Sequence, residues 1–479
     1  MNTRRSFLGA GLGIAASGVV GQASHARRLF GQEATAARIE DVDSVDETGS
    51  EENAKDGQTA GDHGVEVMLP RDRVPLSFVI DDSTCLVNMG HFCTPQFAEA
   101  WPQRPEYQKP WRRWPREIPD RFVRKFGEWC SEHGVKGKYS IVPYPACVGW
   151  VDREMPGWSR QQLESSLALV RDLMVPDWDI HPEMITHTRV IDLKTGRPLE
   201  AINAGTMENS FPQEKKSVDE LASYLAYALQ LLKNVGLPCE GITTPGGFGN
   251  LVKRELPQAV DEAVRDVFQV ELPHYFKYIK MGDQSTVPSL EHVRGRGTDD
   301  IRLTVNVPAG TGDWFGGWQG DRDSEPDRYA NRDATEGRMV ELIQRREPAV
   351  MLCHWPGIYS NGREEGFRSF QRVVRSLEQR FSEQTLWMKL SEIGRYWAAK
   401  ELTEITMTGN VMTLQAPFAT DIFTLRVPTM ANAIRGDQPL RRVESRQKLE
   451  SGTWTRDDRG GSIVCIDLPK GNSTLTFEP

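Results

Sequence analysis

The order of apolar runs and amphipathic segments predicts an α/β fold: a closed or nearly closed parallel (β/α) barrel carrying a small C-terminal β-sandwich. Three observations lead there. Short apolar runs alternate with helical segments from about residue 74 to 397, capping residues open several of those helices, and after about residue 400 the texture turns to β-rich runs with turns. Repeated strand–helix units need crossover connections, and crossovers imply parallel strands.

The first strand-like run is 76–80 (Leu-Ser-Phe-Val-Ile). Residues 120–133 show helical spacing in Phe122, Phe126 and Trp129, with Gly134 as the stop, and 138–142 reads as a strand again. Ser159 with Gln162, and Ser217 with Glu220, form candidate capping boxes that open helices running to about Met174 and to Gly236. Strand-like runs recur at 178–180 and 241–243. Further on, 349–353 precedes a helix around 366–381, and 386–390 precedes one beginning at Ser391. Between about 270 and 345 the pattern assigns no element. Beyond Lys400, the runs 405–408 and 411–414 flank Gly409-Asn410, a hairpin signal, and 462–466 and 473–477 add strands.

Outside the barrel the chain divides by composition. Thr3-Arg4-Arg5-Ser6-Phe7-Leu8, followed by a weakly apolar, glycine-rich run, reads as a twin-arginine export signal over residues 1–26. The run is shorter than the roughly 20 residues a membrane span requires, so the expectation is a periplasmic or extracellular protein with no stable membrane span. Residues 27–70 are acidic and poor in aromatics and read as a disordered linker. The barrel then occupies 71–400 and the β-rich part 401–479. A net charge of −9 argues against nucleic acid as a partner, since phosphate binding needs a basic face. The 7 cysteines, without a CxxC pair, are too few for a disulfide framework in 479 residues and read as small buried apolar groups.

Parallel strand–helix folds expose their chemistry beyond the C-terminal ends of strands. Asp81 and Asp82, His181 and His187, Thr243 and Thr244, and His354 all fall there. Adjacent carboxylates repel unless a cation or a proton relieves them. A divalent metal does so, one carboxylate binding it while the other takes a proton from water. His181 and His187, six residues apart, are imidazole candidates for zinc or a similar first-row metal ion, with Glu183 and Asp192 in reserve. His91 lies one loop beyond the aspartate pair and is placed to approach the pocket, whereas His133, His274 and His292 have no supporting pattern and read as structural.

Phe78-Val79-Ile80-Asp81-Asp82-Ser83 resembles the Asp-Asp motif of the polysaccharide deacetylase superfamily, and Glu183-Met184-Ile185-Thr186-His187-Thr188 is similar to its His-Ser/Thr motif. Thr244-Pro245-Gly246-Gly247-Phe248-Gly249 sits where that family has Arg-Pro-Pro-aromatic-Gly, and Leu352-Cys353-His354 where it has Leu-His. The resemblance spans about residues 74–397. It implies a deformed barrel with Asp81 as general base, Asp82 and His187 as metal ligands, and His354 as general acid. Two features depart from the family: its second histidine, four residues after the first, is Ile191 here, and the arginine that orients the base is missing before Pro245. The third ligand therefore stays open among His181, Glu183 and Asp192.

Carbohydrate is gripped by flat rings, and Trp314 and Trp318 in the glycine-flanked loop 313–321, Trp355, and the rings of 101–114 are available, with Thr244 as a polar contact. The same rings can equally serve as packing. The expected function is an exported metal-dependent hydrolase removing N- or O-acetyl groups from a polysaccharide. A glycoside hydrolase on a related barrel, or a carbohydrate-binding protein without turnover, are the alternatives. Oligomeric state is not legible.

Overall fold

The computed structural model of the protein describes residues 64–478, so the segment expected to be an export signal and nearly all of the stretch expected to be a linker lie outside the described residues. In chain order the first half contains β1 (Glu66–Val67), β2 (Val74–Asp81), α1 (Met89–Ala100), α2 (Asp120–Glu132), β3 (Gly137–Ser140), α3 (Arg160–Leu169), β4 (Trp178–His181), the hairpin β5 (Ile191–Asp192) and β6 (Arg197–Pro198), α4 (Val218–Asn234), β7 (Gly241–Thr243), α5 (Leu256–Phe268) and β8 (His274–Phe276). It continues with β9 (Ser289–Arg294), β10 (Arg302–Asn306), α6 (Arg338–Arg345), β11 (Ala349–His354), α7 (Trp355–Tyr359), α8 (Glu365–Phe381), β12 (Thr385–Trp387) and α9 (Leu390–Leu402).

These elements build two parallel-strand sheets. One runs β11-β2-β3-β4, with β12 beside the start of β2; the other runs β7-β8-β10, with β9 antiparallel at its edge. Single parallel bridges link the sheets at both margins: Glu183 with Thr243 beyond β4, and Asp313 with Leu352 beside β11. The strands sit among helices on a shared core, and every residue of β2, β3 and β4 is buried, as parallel strands covered on both faces must be.

Local sequence explains the elements. Ser159 and Ser217 cap α3 and α4 through complete capping boxes, and α2 buries Phe122, Phe126 and Trp129 on one face. Helix α1 escaped the sequence pattern because Gly90, Thr94 and Pro95 interrupt it; it is secured by Asn88, whose side chain accepts from the Gly90 amide. The unassigned stretch 270–345 holds β8, β9, β10 and α6, and β8 is only 3 residues long, too short for a period to show.

The C-terminal part is antiparallel: β13 (Glu404–Thr408), β14 (Val411–Ala416), β15 (Thr420–Val427), β16 (Ala433–Arg435), β17 (Arg441–Arg442), β18 (Thr453–Arg456), β19 (Ser462–Leu468) and β20 (Gly471–Glu478) form two sheets, apart from a parallel β17–β18 pair. The hairpin at Gly409-Asn410 is present, joining β13 and β14. Strand β1, at the end of the stretch read as linker, pairs with β15, so the chain just before β2 belongs to the C-terminal sheet. Tyr396 of α9 ties the parts together, donating to the Met68 carbonyl and accepting from the Thr424 amide.

Candidate metal and acid–base site

β2 delivers the aspartate pair to the rim. Asp81 ends the strand; Asp82 follows with φ 59°, a left-handed backbone that costs a non-glycine residue energy and directs its carboxylate away from the strand path. After β4 the chain turns through Glu183, Met184 (φ 51°) and His187 (φ 63°). Three strained residues thus cluster around one group of donors. His187 Nε2 lies 2.8 Å from Asp82 Oδ1 and 3.3 Å from Glu183 Oε1, while the other Glu183 oxygen accepts from the Asp82 amide at 2.7 Å.

Asp82, Glu183 and His187 are all buried and converge within 4.8 Å. His187 Nε2 pairs with Asp82 Oδ1 without forming a hydrogen bond of normal geometry, which leaves that oxygen free to take a further partner. Burial opposes a charge on His187, but the two carboxylates hold its imidazolium well above the usual histidine range. Burial likewise pushes the Glu183 carboxyl up, and the His187 imidazolium and Lys138 ammonium outweigh it, bringing Glu183 down to about 2. A divalent cation would neutralise the same carboxylates and take the imidazole as a neutral ligand. One imidazole and two carboxylates suit zinc or a similar first-row ion and leave open positions, so the residues fit the group.

The backbone that carries His187 is itself held. The buried Glu208 carboxylate accepts from the amides of Ile185, Thr186 and His187 at 3.2, 2.9 and 2.6 Å, and from the Tyr224 hydroxyl at 2.5 Å.

Two further pairs flank this group. Lys138 of β3, fully buried, donates to Asp81 Oδ1, to the Ile80 carbonyl at 3.1 Å and to Ser140 Oγ at 2.8 Å. A cation therefore sits against the candidate base although the family arginine is absent. Burial still dominates at Asp81, with Glu183 adding repulsion, and raises its carboxyl to about 6. Opposite Asp81 in the β2–β11 register stands His354. Its Nδ1 is 2.8 Å from Asp313 Oδ2; burial alone would lower the ring, and the Asp313 carboxylate more than reverses that, lifting it to about 9.

Of the residues singled out from the sequence, Asp81, Asp82, His187 and His354 come together, with Glu183 as the third member of the ligand group. His181 does not join it. Its side chain lies inside the fold with Nε2 2.9 Å from His274 Nε2 and Nδ1 3.2 Å from Thr243 Oγ1, because it is on the strand itself whereas His187 is on the loop beyond. Asp192 is in the β5–β6 hairpin, accepting from the Lys194 amide. His91 is bound to the Trp114 carbonyl.

Among the aromatic candidates, Trp318 is half-buried and packs on Phe97 and Tyr107, at ring separations of 5.4 and 6.0 Å; Phe97 in turn is 6.2 Å from the His187 ring. Trp355 is wholly buried among Phe122, Phe126 and Tyr139, a core residue with no face for a ligand. Trp314 is buried against Tyr329 beneath the Arg328 guanidinium. Thr244 is buried at the end of β7, its amide donating to the Phe276 carbonyl and its hydroxyl without a partner.

The sequence reading did not single out Lys138, Asp313 or Glu208 for these positions. Lys138 lies in Gly137-Lys138-Tyr139-Ser140, a strand that the structure shows buried throughout. Asp313 and Glu208 had no signal in the sequence, since both are brought in by loops.

No family model matches the chain, and no curated protein matches it. Polysaccharide deacetylase structures are among those the chain resembles. One, from Mycobacterium smegmatis and titled for that activity, shares 11% identity over 72% of this chain and 97% of its own, with TM-score 0.37. A protein from Parabacteroides distasonis titled as a glycoside hydrolase/deacetylase shares 11% identity, covering 76% of this chain and 84% of its own at TM-score 0.38. A mutant of a CE4-family pseudoenzyme with restored enzymatic activity shares 11% identity, covering 67% of each chain at TM-score 0.28. These are distant likenesses.

Proposed function

We propose that the protein is an exported, metal-dependent hydrolase that removes N- or O-acetyl groups from a carbohydrate, a divergent member of the polysaccharide deacetylase superfamily whose two linked parallel sheets constitute a deformed (β/α) barrel. The observation that carries this reading is the convergence, on one rim, of the Asp82–Glu183–His187 group with the Asp81–Lys138 and Asp313–His354 pairs. Each pair supplies one half of acid–base hydrolysis.

A divalent cation, zinc or a similar first-row ion, held by Asp82, Glu183 and His187 would supply Lewis-acid polarisation of an acetyl carbonyl and of water. Asp81 accepts the proton of the attacking water. Lys138 keeps that carboxylate fixed and, as a buried cation, balances a charge that would otherwise be costly. His354, protonated at neutral pH because Asp313 stabilises the imidazolium, gives its proton to the departing amine or alkoxide. Asp313 also fixes the ring orientation, with Nδ1 engaged and Nε2 left for the leaving group. Phe97, Tyr107 and Trp318 form an aromatic wall beside His187, suited to a sugar ring.

The test is acetate release from a panel of N- and O-acetylated oligosaccharides by the zinc-loaded protein, with Asp81→Asn as control. Release by wild type that the variant lacks supports the reading. Tight binding of the panel without release would instead favour a carbohydrate-binding role.

A further inference from the structure

Strand β4 carries a second convergence of ligands, pointing inward. Asp179 and His181, two residues apart on one face of β4, meet His274 at the start of β8, and all three are buried within 4.8 Å of one another. The two Nε2 atoms are 2.9 Å apart and His274 Nε2 is 3.6 Å from Asp179 Oδ2. Asp179 is held by Ser391 at the start of α9, whose amide donates to Oδ2 and whose hydroxyl donates to Oδ1, each at 2.7 Å. A carboxylate offers about four lone pairs, so these bonds leave capacity for another partner.

Two further observations set this cluster apart. The first is space. Gly241 of β7 adjoins both imidazoles, and a Cβ there would stand 2.8 Å from His181 Nε2 and 2.9 Å from His274 Nε2. Glycine is required there because a Cβ would also fall 2.4 Å from the His274 carbonyl oxygen, so residue 241 lets the two imidazoles meet. The second is location. β4 ends one parallel sheet and β7-β8 begins the other, and among the described residues the only strand-like link across that seam is the single Glu183–Thr243 bridge. The cluster spans the seam where the backbone ladder is missing.

We propose that Asp179, His181 and His274 form a second, buried divalent-metal site that staples β4 to β8 across the gap between the two parallel sheets. Two imidazoles and a carboxylate suit zinc, and the burial of all three ligands inside the fold, away from the rim residues, gives the site a structural part. The inference does not depend on the reaction proposed above.

The experiment is zinc stoichiometry by mass spectrometry on the full chain, loaded with zinc and freed of excess, for wild type, Asp82→Asn, His274→Gln and the double variant. The expected values are two equivalents in wild type, one in each single variant and none in the double. X-ray absorption at the zinc edge on Asp82→Asn should then show a two-imidazole shell. If wild type takes up one equivalent and Asp82→Asn none, the second site is overturned, and this pair decides even if His274→Gln fails to fold. If wild type takes up one equivalent that only His274→Gln loses, the second site stands and the catalytic metal reading falls. Zinc uptake in Asp82→Asn that His274→Gln does not diminish also overturns the second site.

Discussion

Two groups of histidine and carboxylate depend on β4 and the loop after it, and they differ in almost every physical respect. The Asp82–Glu183–His187 group sits on strained loops at the strand ends, carries two carboxylates to one imidazole and lies beside an acid–base pair. The Asp179–His181–His274 group sits on regular strands, carries two imidazoles to one carboxylate and is sealed in the core. In the first, burial is outweighed and His187 is driven toward the charged form; in the second, burial dominates and His274 falls to about 4, a neutral ring at all physiological pH. The comparison teaches that residue type does not separate a reactive group from an inert one. Distance beyond the strand end, charge balance and the company of proton donors do.

The largest effect on this contrast should come from the rim. His187→Ala or Asp82→Ala is expected to abolish the bound rim metal and acetate release together, a loss of at least ~10³-fold in kcat, and to lower the melting temperature because buried charge is left unpaired. Measuring zinc content and melting curves side by side checks it. Asp81→Asn should retain the metal but lose about 10²- to 10⁴-fold in kcat, the usual share of a general base. A variant that lost metal as well would place Asp81 among the ligands instead.

Lys138→Met removes the counter-charge of a buried carboxylate and should cost roughly 3 to 5 kcal/mol of stability in urea titration, most of it recovered when Asp81→Asn is added. The His354–Asp313 pair predicts a pH effect with a definite sign. With His354 lifted to about 9, the acid form persists through neutrality and kcat should fall as pH rises past about 9. Asp313→Asn removes the stabilising carboxylate, so the alkaline limb should move to lower pH; a limb that stays in place would take the acid role from His354. The smallest effect is expected at the aromatic wall. Trp318→Ala should raise KM about tenfold or less with kcat nearly unchanged, worth about 1 kcal/mol of stacking, whereas Trp355→Ala should act on stability alone, by about 3 to 5 kcal/mol.

What could be read from the sequence follows from the range of the forces involved. Strands β2, β4, β7 and β11 announced themselves as apolar runs, and the capping boxes of α3 and α4 are local chemistry within four residues. Asp81, Asp82, His187 and His354 were legible because strand ends position them and because the motif at 78–83 is short and contiguous. The choice of Glu183 over His181 as third ligand was not, since it depends on where β4 stops and which way each side chain faces. Lys138 was hidden for another reason: a lysine in a strand normally reads as a solvent-facing position, and only the partner Asp81, 57 residues earlier, explains its burial. Trp355 shows the reverse error, a ring next to a functional histidine that turns inward at the first residue of α7.

The central claim is that Glu183, with Asp82 and His187, holds the metal on which hydrolysis depends. The most direct test is zinc affinity of the rim site in Glu183→Gln against wild type, both carrying His274→Gln so that only one site is read. The expected result is a fall of at least tenfold in affinity with the protein still folded. Unchanged zinc binding in Glu183→Gln would contradict the assignment.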